Sequence, residues 1–167
     1  MNEAGTIAGD HKVVVITGAG PGSVGSPPAG RSTPVTPWSW PAAVLMRDQE
    51  PHGGRIIDNG SVPAHVPGPS SVACTVSEHA VSGLTASLDL RGHGIAGTRI
   101  DIGNAATAMT SGFGANARQA DGAVRPAPTI DAAHVAELIA HIVALPLEVG
   151  VPTLMVMARE TPFAGRG

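Results

Sequence analysis

The fold of this chain is decided by residues Gly53 to Thr110, which read GGRIIDNGSVPAHVPGPSSVACTVSEHAVSGLTASLDLRGHGIAGTRIDIGNAATAMT. An apolar run leads to Ser61, and a loop rich in proline and glycine follows it. A helical pattern then runs from about Thr75 to Leu90, and a second apolar run ends in Gly-x-x-x-Thr, at Gly103 and Thr107. Short apolar runs bounded by turn residues favour strands buried in a parallel sheet. The order strand, helix, strand predicts an α/β fold.

Composition is typical of a small globular protein. A chain of 167 residues fits one domain, so we treat residues 1–167 as a single unit. Hydrophobic residues make up 43% and charged residues 14%, which excludes the disordered class. The net charge is −3 and the ten Lys and Arg residues form no cluster, so we expect no nucleic-acid partner.

The sequence also indicates the cellular compartment. No apolar run reaches the ~18–20 residues that a membrane span needs, so we expect no membrane partner. The N-terminal residues MNEAGTIAGDHK lack the basic and apolar segments of a signal peptide. Cys74 is the only cysteine, so no intrachain disulfide can form. We expect a cytoplasmic protein.

A glycine-rich turn follows the first apolar run, Val13 to Ile16. Glycines let backbone N–H groups approach a pyrophosphate closely at the start of a helix. The candidate cofactor-binding residues of this turn are Thr17, Gly18, Gly22 and Gly25. Ser26-Pro27-Pro28 then disfavours a helix, so a plain loop after a strand remains an equal alternative.

These motifs together resemble the short-chain dehydrogenase/reductase family. In that family a catalytic Ser ends a strand, and a Tyr-x-x-x-Lys pair lies on the next helix. Ser61 matches the Ser, and Cys74, 13 positions later, and Glu78 stand where the Tyr and Lys would be. The resemblance implies NAD or NADP as the cofactor, contacted also by Gly103 and Thr107. It further implies a small alcohol or ketone as the substrate and a possible homo-oligomer.

The two replacements affect the proton transfer that the resemblance implies. In the family, the Tyr hydroxyl exchanges a proton with the substrate, and the Lys lowers the pKa of that hydroxyl. Cys74 is too short to reach where a phenol would, and a carboxylate such as Glu78 raises the pKa of a neighbouring acid. We therefore predict an oxidoreductase that is impaired or inactive, with no hydride transfer. The alternative is a non-catalytic remnant that serves as a binding or oligomerisation module.

The organisation of the chain predicts an incomplete sheet. Residues 12–25 hold a strand and the glycine loop, residues 26–50 are irregular apart from a helix end at Ala42 to Gln49, and residues 53–167 resemble the C-terminal half of the family fold. We predict an incomplete Rossmann-like, doubly wound parallel sheet that lacks the region of strands two to four. Losing those strands should expose an edge of strand one and invite self-association.

Helical periodicity predicts which residues face the core. In the first helix of the deciding stretch, the predicted stripe is Val76, Ala80, Leu84 and Leu88, with Gly83 allowing close packing. A later helix begins after Asp131, a good N-cap, and ends at Pro146. Its predicted apolar face is Val135, Leu138, Ile139, Ile142 and Val143. Residues Ser111 to Pro128 form either a substrate lid or a plain loop, and Val151 to Ala158 form the last strand.

For three other candidate sites, a structural role is favoured over a functional one. Asp58, Ser61 and His65 contain the residue types of a Ser–His–Asp triad, but nearness in sequence is not triad geometry, so we expect none. His134, Glu137 and His141 share a helix face that could bind a metal, but a solvated edge is favoured, and we predict no metal site. For Cys74, a buried or half-buried small hydrophobe is favoured over a reactive thiol.

Overall fold

The computed structural model describes residues 5–6, 14–17, 39–68, 71–88, 91–107, 110, 116–118 and 122–164. In chain order, its elements are β1 (Gly5–Thr6), β2 (Val14–Thr17), α1 (Ser39–Asp48), β3 (Gly54–Ser61), a 3-10 turn (Val62–Ala64), α2 (Val72–Ser87), a second 3-10 turn (Arg91–His93), β4 (Ile95–Gly103), β5 (Ala105–Ala106), β6 (Ala117–Arg118), β7 (Val124–Arg125), β8 (Ile130–Asp131), α3 (Ala132–Ala144) and β9 (Thr153–Met157). None of the helices in these ranges has both the length and the apolar content that a membrane span needs.

A five-stranded sheet in the order β1–β2–β3–β4–β9 organises the fold. The pairs β2–β3, β3–β4 and β4–β9 are parallel. Strand β2 pairs directly with β3, with Val14 opposite Arg55, so no strand separates them. The predicted incomplete Rossmann-like sheet is therefore confirmed.

The outer edge of β2 differs from the prediction. We predicted a bare edge, but β1 pairs antiparallel with β2 there, with Gly5 opposite Ile16 and Thr6 opposite Val15. The edge is thus covered over two residues, because the segment before β2 returns alongside it. Edge strands that are paired in this way offer fewer free backbone groups to another chain.

The two faces of the sheet carry separate cores, because side chains alternate along a strand. Ile56 points to one face, where it packs with α1 and with the C-terminal end of α2; this core contains Ala43, Met46, Ile56, Leu88 and Ile95. Ile57 points to the other face, which α3 covers; its buried core is Ile57, Ile100 and Ile142, surrounded by partly buried aliphatic side chains. Buried Arg55 ties down the loop after α3 by donating to the carbonyls of Pro146 and Val149, at 3.1 and 3.0 Å.

Helix α1 corrects the predicted boundary of the irregular segment. The helix spans Ser39–Asp48 and buries Ser39, Ala43 and Met46. The predicted helix end at Ala42 to Gln49 is confirmed, but residues 39–41 of the segment predicted as irregular are helical too. Residues 26–38 lie outside the described ranges.

Helix α2 is present, but the predicted inward stripe is wrong in its first half. Val76 is 65% exposed, and Ala80 is exposed as well. Leu84 and Leu88 do reach the core. The inward positions include the half-buried Glu78 and the buried Thr85, whose hydroxyl donates to Asp58 of β3. Among the described residues, and apart from its own helix backbone, no atom lies within 4 Å of where a Cβ of Gly83 would be, so close packing does not explain this glycine.

Helix α3 and the last strand match the sequence prediction. The carboxylate of Asp131 accepts from the N–H of Ala133 at 2.9 Å, as an N-cap does. Val135 and Ile142 are buried, and the other predicted apolar positions of the helix are partly buried. In the segment predicted as a lid or loop, β6 pairs antiparallel with β7, with Ala117 opposite Arg125. Strand β5 pairs with β8.

Candidate functional site

Ser61 lies at the carboxyl end of β3, opposite Ile102 of β4. Its hydroxyl donates to the carbonyl of Ile102 at 3.2 Å. Parallel α/β sheets bind their ligands at the carboxyl ends of the strands. The structure therefore places Ser61 at the edge of the sheet where a functional residue is expected.

Glu78 reaches this strand end from α2. The N–H of Ser61 donates to its carboxylate, and one carboxylate oxygen, Oε2, is buried with no hydrogen-bond partner among the described residues. Burial raises the pKa of Glu78, and the nearby carboxylate of Asp101 raises it further, while the Ser61 N–H and Arg99 lower it less. A group that is costly to ionise therefore occupies the position that the sequence resemblance assigned to a Lys.

Asp101 is the buried centre of a charged cluster on β4. Its side chain is fully buried, and its Oδ2 accepts from the Nε and Nη2 of Arg99 at 2.9 and 2.8 Å. The Nε2 of His65 lies 2.6 Å from the same oxygen. Nε2 also lies 3.1 Å from Nη2 of Arg99, which can only donate, so it can serve only one of these two partners. We assign the ring proton to Nε2, because its contact with the carboxylate, which can only accept, is the shorter one. The other oxygen, Oδ1, is buried and unpartnered within the described ranges.

The three residue types of a triad are not brought together. Asp58 accepts instead from the hydroxyls of Ser39 and Thr85, at 2.6 and 2.7 Å, so it ties α1 and α2 to β3. His65 pairs with Asp101 rather than with Asp58. The hydroxyl of Ser61 points to a backbone carbonyl. These contacts define a structural carboxylate and a separate His–Asp pair.

Cys74 does not lie where the sequence prediction put it. We predicted a buried or half-buried residue, but Cys74 is exposed on α2. It shares the first half of the helix with the exposed Val72 and Val76. The prediction failed because this half of α2 contacts the sheet through the face that bears Glu78. Cys74 and Glu78, which the resemblance assigned to the Tyr and Lys positions, therefore differ in setting, the first exposed and the second half-buried.

The candidate cofactor residues after β4 are held by internal contacts. A Cβ at Gly103 would lie 2.9 Å from the Cβ of Met157 and 3.0 Å from a methyl carbon of Val62, so packing alone requires a glycine. The N–H of Thr107 donates to the hydroxyl of Thr110 at 2.8 Å. The Thr107 hydroxyl lies 3.3 Å from the same oxygen. The backbone donor that a cofactor would use is thus already engaged within a turn.

The remaining candidates lie mostly outside the described part of the chain. Thr17 ends β2, with its backbone opposite Asp58. Gly18, Gly22 and Gly25 are outside the described residues. On α3, His134 and Glu137 are exposed, with 3.6 Å between Nδ1 and Oε2. Among the described residues, no group of three or more His, Cys, Asp or Glu side chains could hold a metal ion.

Sequence reasoning missed the cluster of His65, Arg99 and Asp101. One signal was available, because Arg99 and Asp101 interrupt the apolar run of β4 on either side of Ile100. Two charges on the same side of a buried strand need partners. Their partner His65 is 36 positions away from Asp101 and meets it only through the pairing of β3 with β4.

Comparison with known proteins identifies the fold. No family model matches the chain, and no curated protein matches it in sequence. Among solved structures, a protein of Escherichia coli described as an oxidoreductase is 27% identical, with a TM-score of 0.55, over 71% of this chain and 46% of that one. An acetoin dehydrogenase of Enterobacter cloacae is 28% identical, with a TM-score of 0.53, over 71% and 47%. An acetoin dehydrogenase of Salmonella typhimurium is 29% identical, with a TM-score of 0.52, over 75% and 46%.

The parallel sheet, with helices on both faces and polar groups at its carboxyl edge, defines an α/β protein of the Rossmann class. Its solved neighbours are short-chain dehydrogenase/reductases, and the chain resembles a shortened form of that family. It spans about half the length of the solved structures that it matches. The family prediction is thus confirmed.

Proposed function

We propose that this chain is a catalytically impaired relative of the NAD(P)-dependent oxidoreductases that act on small alcohols and ketones. The observation that carries the proposal is the setting of Glu78. Its carboxylate contacts the N–H of Ser61 and lies near Asp101, at the position where the resemblance calls for a Lys. A second negative charge at this strand end opposes the ionisation of any proton donor placed beside it.

The described residues offer no replacement for the missing proton transfer. Cys74, at the Tyr position, is exposed on α2. Arg99, the cation of the cluster, bonds to the carboxylate of Asp101 through two nitrogens. General acid–base assistance contributes on the order of 10²–10⁴-fold to such reactions. We therefore expect any hydride transfer to fall below detection.

Cofactor binding should be weak as well. Of the candidate contacts after β4, Gly103 is explained by packing, and the N–H of Thr107 is engaged by Thr110. The described part of the site therefore does not fit a tightly held dinucleotide, whether NAD or NADP. We expect titration with NADH or NADPH, followed by nicotinamide fluorescence, to show no saturation below about 1 mM, the upper end of ordinary KM values. Saturation in the micromolar range would contradict this proposal.

Catalysis is tested by restoring the family residues. Wild type, Cys74→Tyr/Glu78→Lys and the control Cys74→Tyr/Glu137→Lys would be assayed for NAD(P)H oxidation. Acetoin and its diketone are suitable substrates, because two of the similar structures are acetoin dehydrogenases. We expect no turnover by wild type or by the control, and a gain only in the restored variant if it binds cofactor. Turnover by wild type at the rate of an ordinary enzyme would refute the impairment.

A second candidate function is a non-catalytic oligomerisation module, favoured by the outer face of α2. Val72 is 77% exposed and Val76 65% exposed, and Leu45 of α1 is 60% exposed. Contiguous exposed apolar side chains are typical of interaction surfaces, and Val72 and Val76 lie one helical turn apart on α2. Sedimentation of wild type and of Val76→Glu would test this function. A monomer at every concentration would exclude it.

A further inference from the structure

We propose that His65 is a nucleophilic histidine, held by Asp101, that takes the acyl group of a small aryl ester at its Nδ1 and passes it to water. This site gives the chain an esterase activity that transfers no hydride. The reaction needs no nicotinamide cofactor, so the proposal stands or falls separately from the proposed function.

The backbone of His65 is held at the carboxyl edge of the sheet. His65 directly follows the 3-10 turn Val62–Ala64, which begins where β3 ends. Its N–H donates to the carbonyl of Val62 at 2.9 Å, and the N–H of Val66 donates to the same carbonyl at 3.2 Å. The side chain of Val62 is fully buried. The turn therefore fixes His65 at the edge where parallel α/β sheets bind their ligands.

The ring of His65 is held through one nitrogen and leaves the other available. Its Nε2 lies 2.6 Å from Oδ2 of Asp101, whose side chain is fully buried. With the ring proton on Nε2, this contact is a hydrogen bond to the carboxylate, and no described residue forms a hydrogen bond with Nδ1. In the neutral ring, Nδ1 then has a lone pair and no proton. It can therefore attack an electrophile but has no proton to donate.

Asp101 stabilises the charge that the attack creates. Its Oδ2 also accepts from the Nε and Nη2 of Arg99, at 2.9 and 2.8 Å, which keeps the carboxylate in place behind the ring. Once Nδ1 is acylated, the ring carries a positive charge, so its hydrogen bond to Asp101 becomes charge-assisted and stronger. At metal sites, a carboxylate behind a histidine raises the basicity of the ring, and removing it costs about 10–100-fold in affinity or activity. We expect a gain of similar size for attack by Nδ1.

Phe163 forms an apolar wall beside the ring of His65. The centroids of the two rings lie 6.5 Å apart, with 50° between their planes, and Phe163 is 45% exposed. Thr161 is buried and its N–H donates to the carbonyl of Ala158 at 2.9 Å, so the segment after β9 is anchored before it reaches His65. An exposed aromatic ring offers a surface on which a second ring can pack. An aryl ester therefore fits this position better than a charged substrate.

The reaction balances with water as its only co-reactant. The lone pair of Nδ1 attacks the ester carbonyl carbon, and the C–O bond to the aryl group breaks, so that a phenolate leaves with the electron pair. Water then attacks the acylated ring, the C–N bond breaks, and its electron pair returns to Nδ1. The proton released from water goes to the phenolate. The products are one carboxylic acid and one phenol.

Modification of single histidines by diethyl pyrocarbonate, an acylating reagent, tests the nucleophile. His134 of α3 is the control in the same molecule, because its side chain is 69% exposed and that of His65 is 30% exposed. Exposure alone would make His134 react first. We expect His65 to react about 10–100-fold faster than His134, measured by mass spectrometry of the two peptides. Equal rates, or faster modification of His134, would overturn the proposal.

Turnover is tested with p-nitrophenyl acetate. We expect His65→Gln to lower the initial rate of p-nitrophenolate release by about tenfold or more, and His134→Gln to match wild type. Phe163→Ala should raise KM and leave kcat nearly unchanged, because the ring contacts the aryl group and not the reacting carbonyl. An unchanged rate in His65→Gln would refute the esterase activity.

Nitrogen NMR of the His65 ring tests the role of Asp101 as a positioning residue. In wild type we expect the neutral ring to carry its proton on Nε2, a result that depends on no variant. In Asp101→Asn the side-chain amide can donate to Nε2, so the proton should move to Nδ1 and the reaction with diethyl pyrocarbonate should slow. A wild-type ring that carries its proton on Nδ1 would contradict the proposal.

Discussion

The two faces of the sheet are built from different chemistry. The face covered by α3 has an aliphatic core along its middle, centred on Ile57, Ile100 and Ile142. The face covered by α1 and α2 has a smaller aliphatic core, and it also buries the carboxylates of Asp58 and Asp101. Both faces come from the same strands, because neighbouring residues such as Ile56 and Ile57 point to opposite sides.

The difference separates what holds the fold from what positions the site. Apolar burial is non-directional, so the aliphatic core under α3 stabilises the sheet without fixing any one side-chain geometry. The directional contacts described on that side, from Arg55, go to the loop after α3. Hydrogen bonds to buried carboxylates are directional, and those of Asp58 fix where α1 and α2 cross β3. The candidate site at Ser61 and Glu78 lies on this polar side. Substitutions on the two faces should therefore differ in their effects on stability and on hydrogen exchange.

The largest effect is expected from the aliphatic face. Ile100 is fully buried, and Ile100→Ala removes side-chain atoms from the α3 core and leaves a cavity. We expect it to lower the free energy of unfolding by about 2–5 kcal/mol, measured by urea denaturation. The exposed Val124 provides the control, and Val124→Ala should change stability by less than about 0.5 kcal/mol. Equal losses for the two variants would contradict the core assigned to this face.

A smaller effect is expected from the polar face. Asp58→Asn replaces one carboxylate oxygen with an N–H₂ group, so one of the two hydroxyls, of Ser39 or Thr85, must find another acceptor. We expect a loss of about 1–3 kcal/mol in the free energy of unfolding. Glu148→Gln, at an exposed position, should behave like wild type.

The same comparison tests the role assigned to Asp58. If it anchors the helices, hydrogen exchange in Asp58→Asn should rise in α1 and α2 and remain unchanged in α3. A uniform rise over the whole chain would instead indicate only a general loss of stability. The two measurements together distinguish a directional anchor from an ordinary core residue.

The aliphatic face is also the part that the sequence predicted well. The apolar runs gave β3 and β4, and the N-cap at Asp131 with its apolar face gave α3. These signals are local, because the hydrophobic pattern of a strand or a helix indicates which of its residues are buried. The direct pairing of β2 with β3 was predicted as well, because no second strand pattern is present between Gly30 and Pro51.

The polar face could not be predicted in this way. Periodicity assigned Val76 to the core and did not assign Glu78 to either side. In the structure, Val76 is exposed and Glu78 faces the sheet. Polar residues enter a core only when a partner is present, and the partners lie on other elements. Asp101 and His65 meet across two strands, and Asp58 joins two helices. Such contacts depend on the register of the sheet, which one chain's sequence pattern does not specify.

The smallest expected effect on stability comes from the outer side of α2, which does not contact the sheet. Gly83 is exposed, and a Cβ there would meet no atom of the described residues within 4 Å apart from its own helix backbone. Gly83→Ala should therefore stabilise the chain by about 0.5–1 kcal/mol, because alanine loses less backbone freedom in a helix. Thermal unfolding at several protein concentrations would measure it. A loss of stability that grows with concentration would show instead that Gly83 packs against a second copy, and the outer face of α2 would then be a third packed surface.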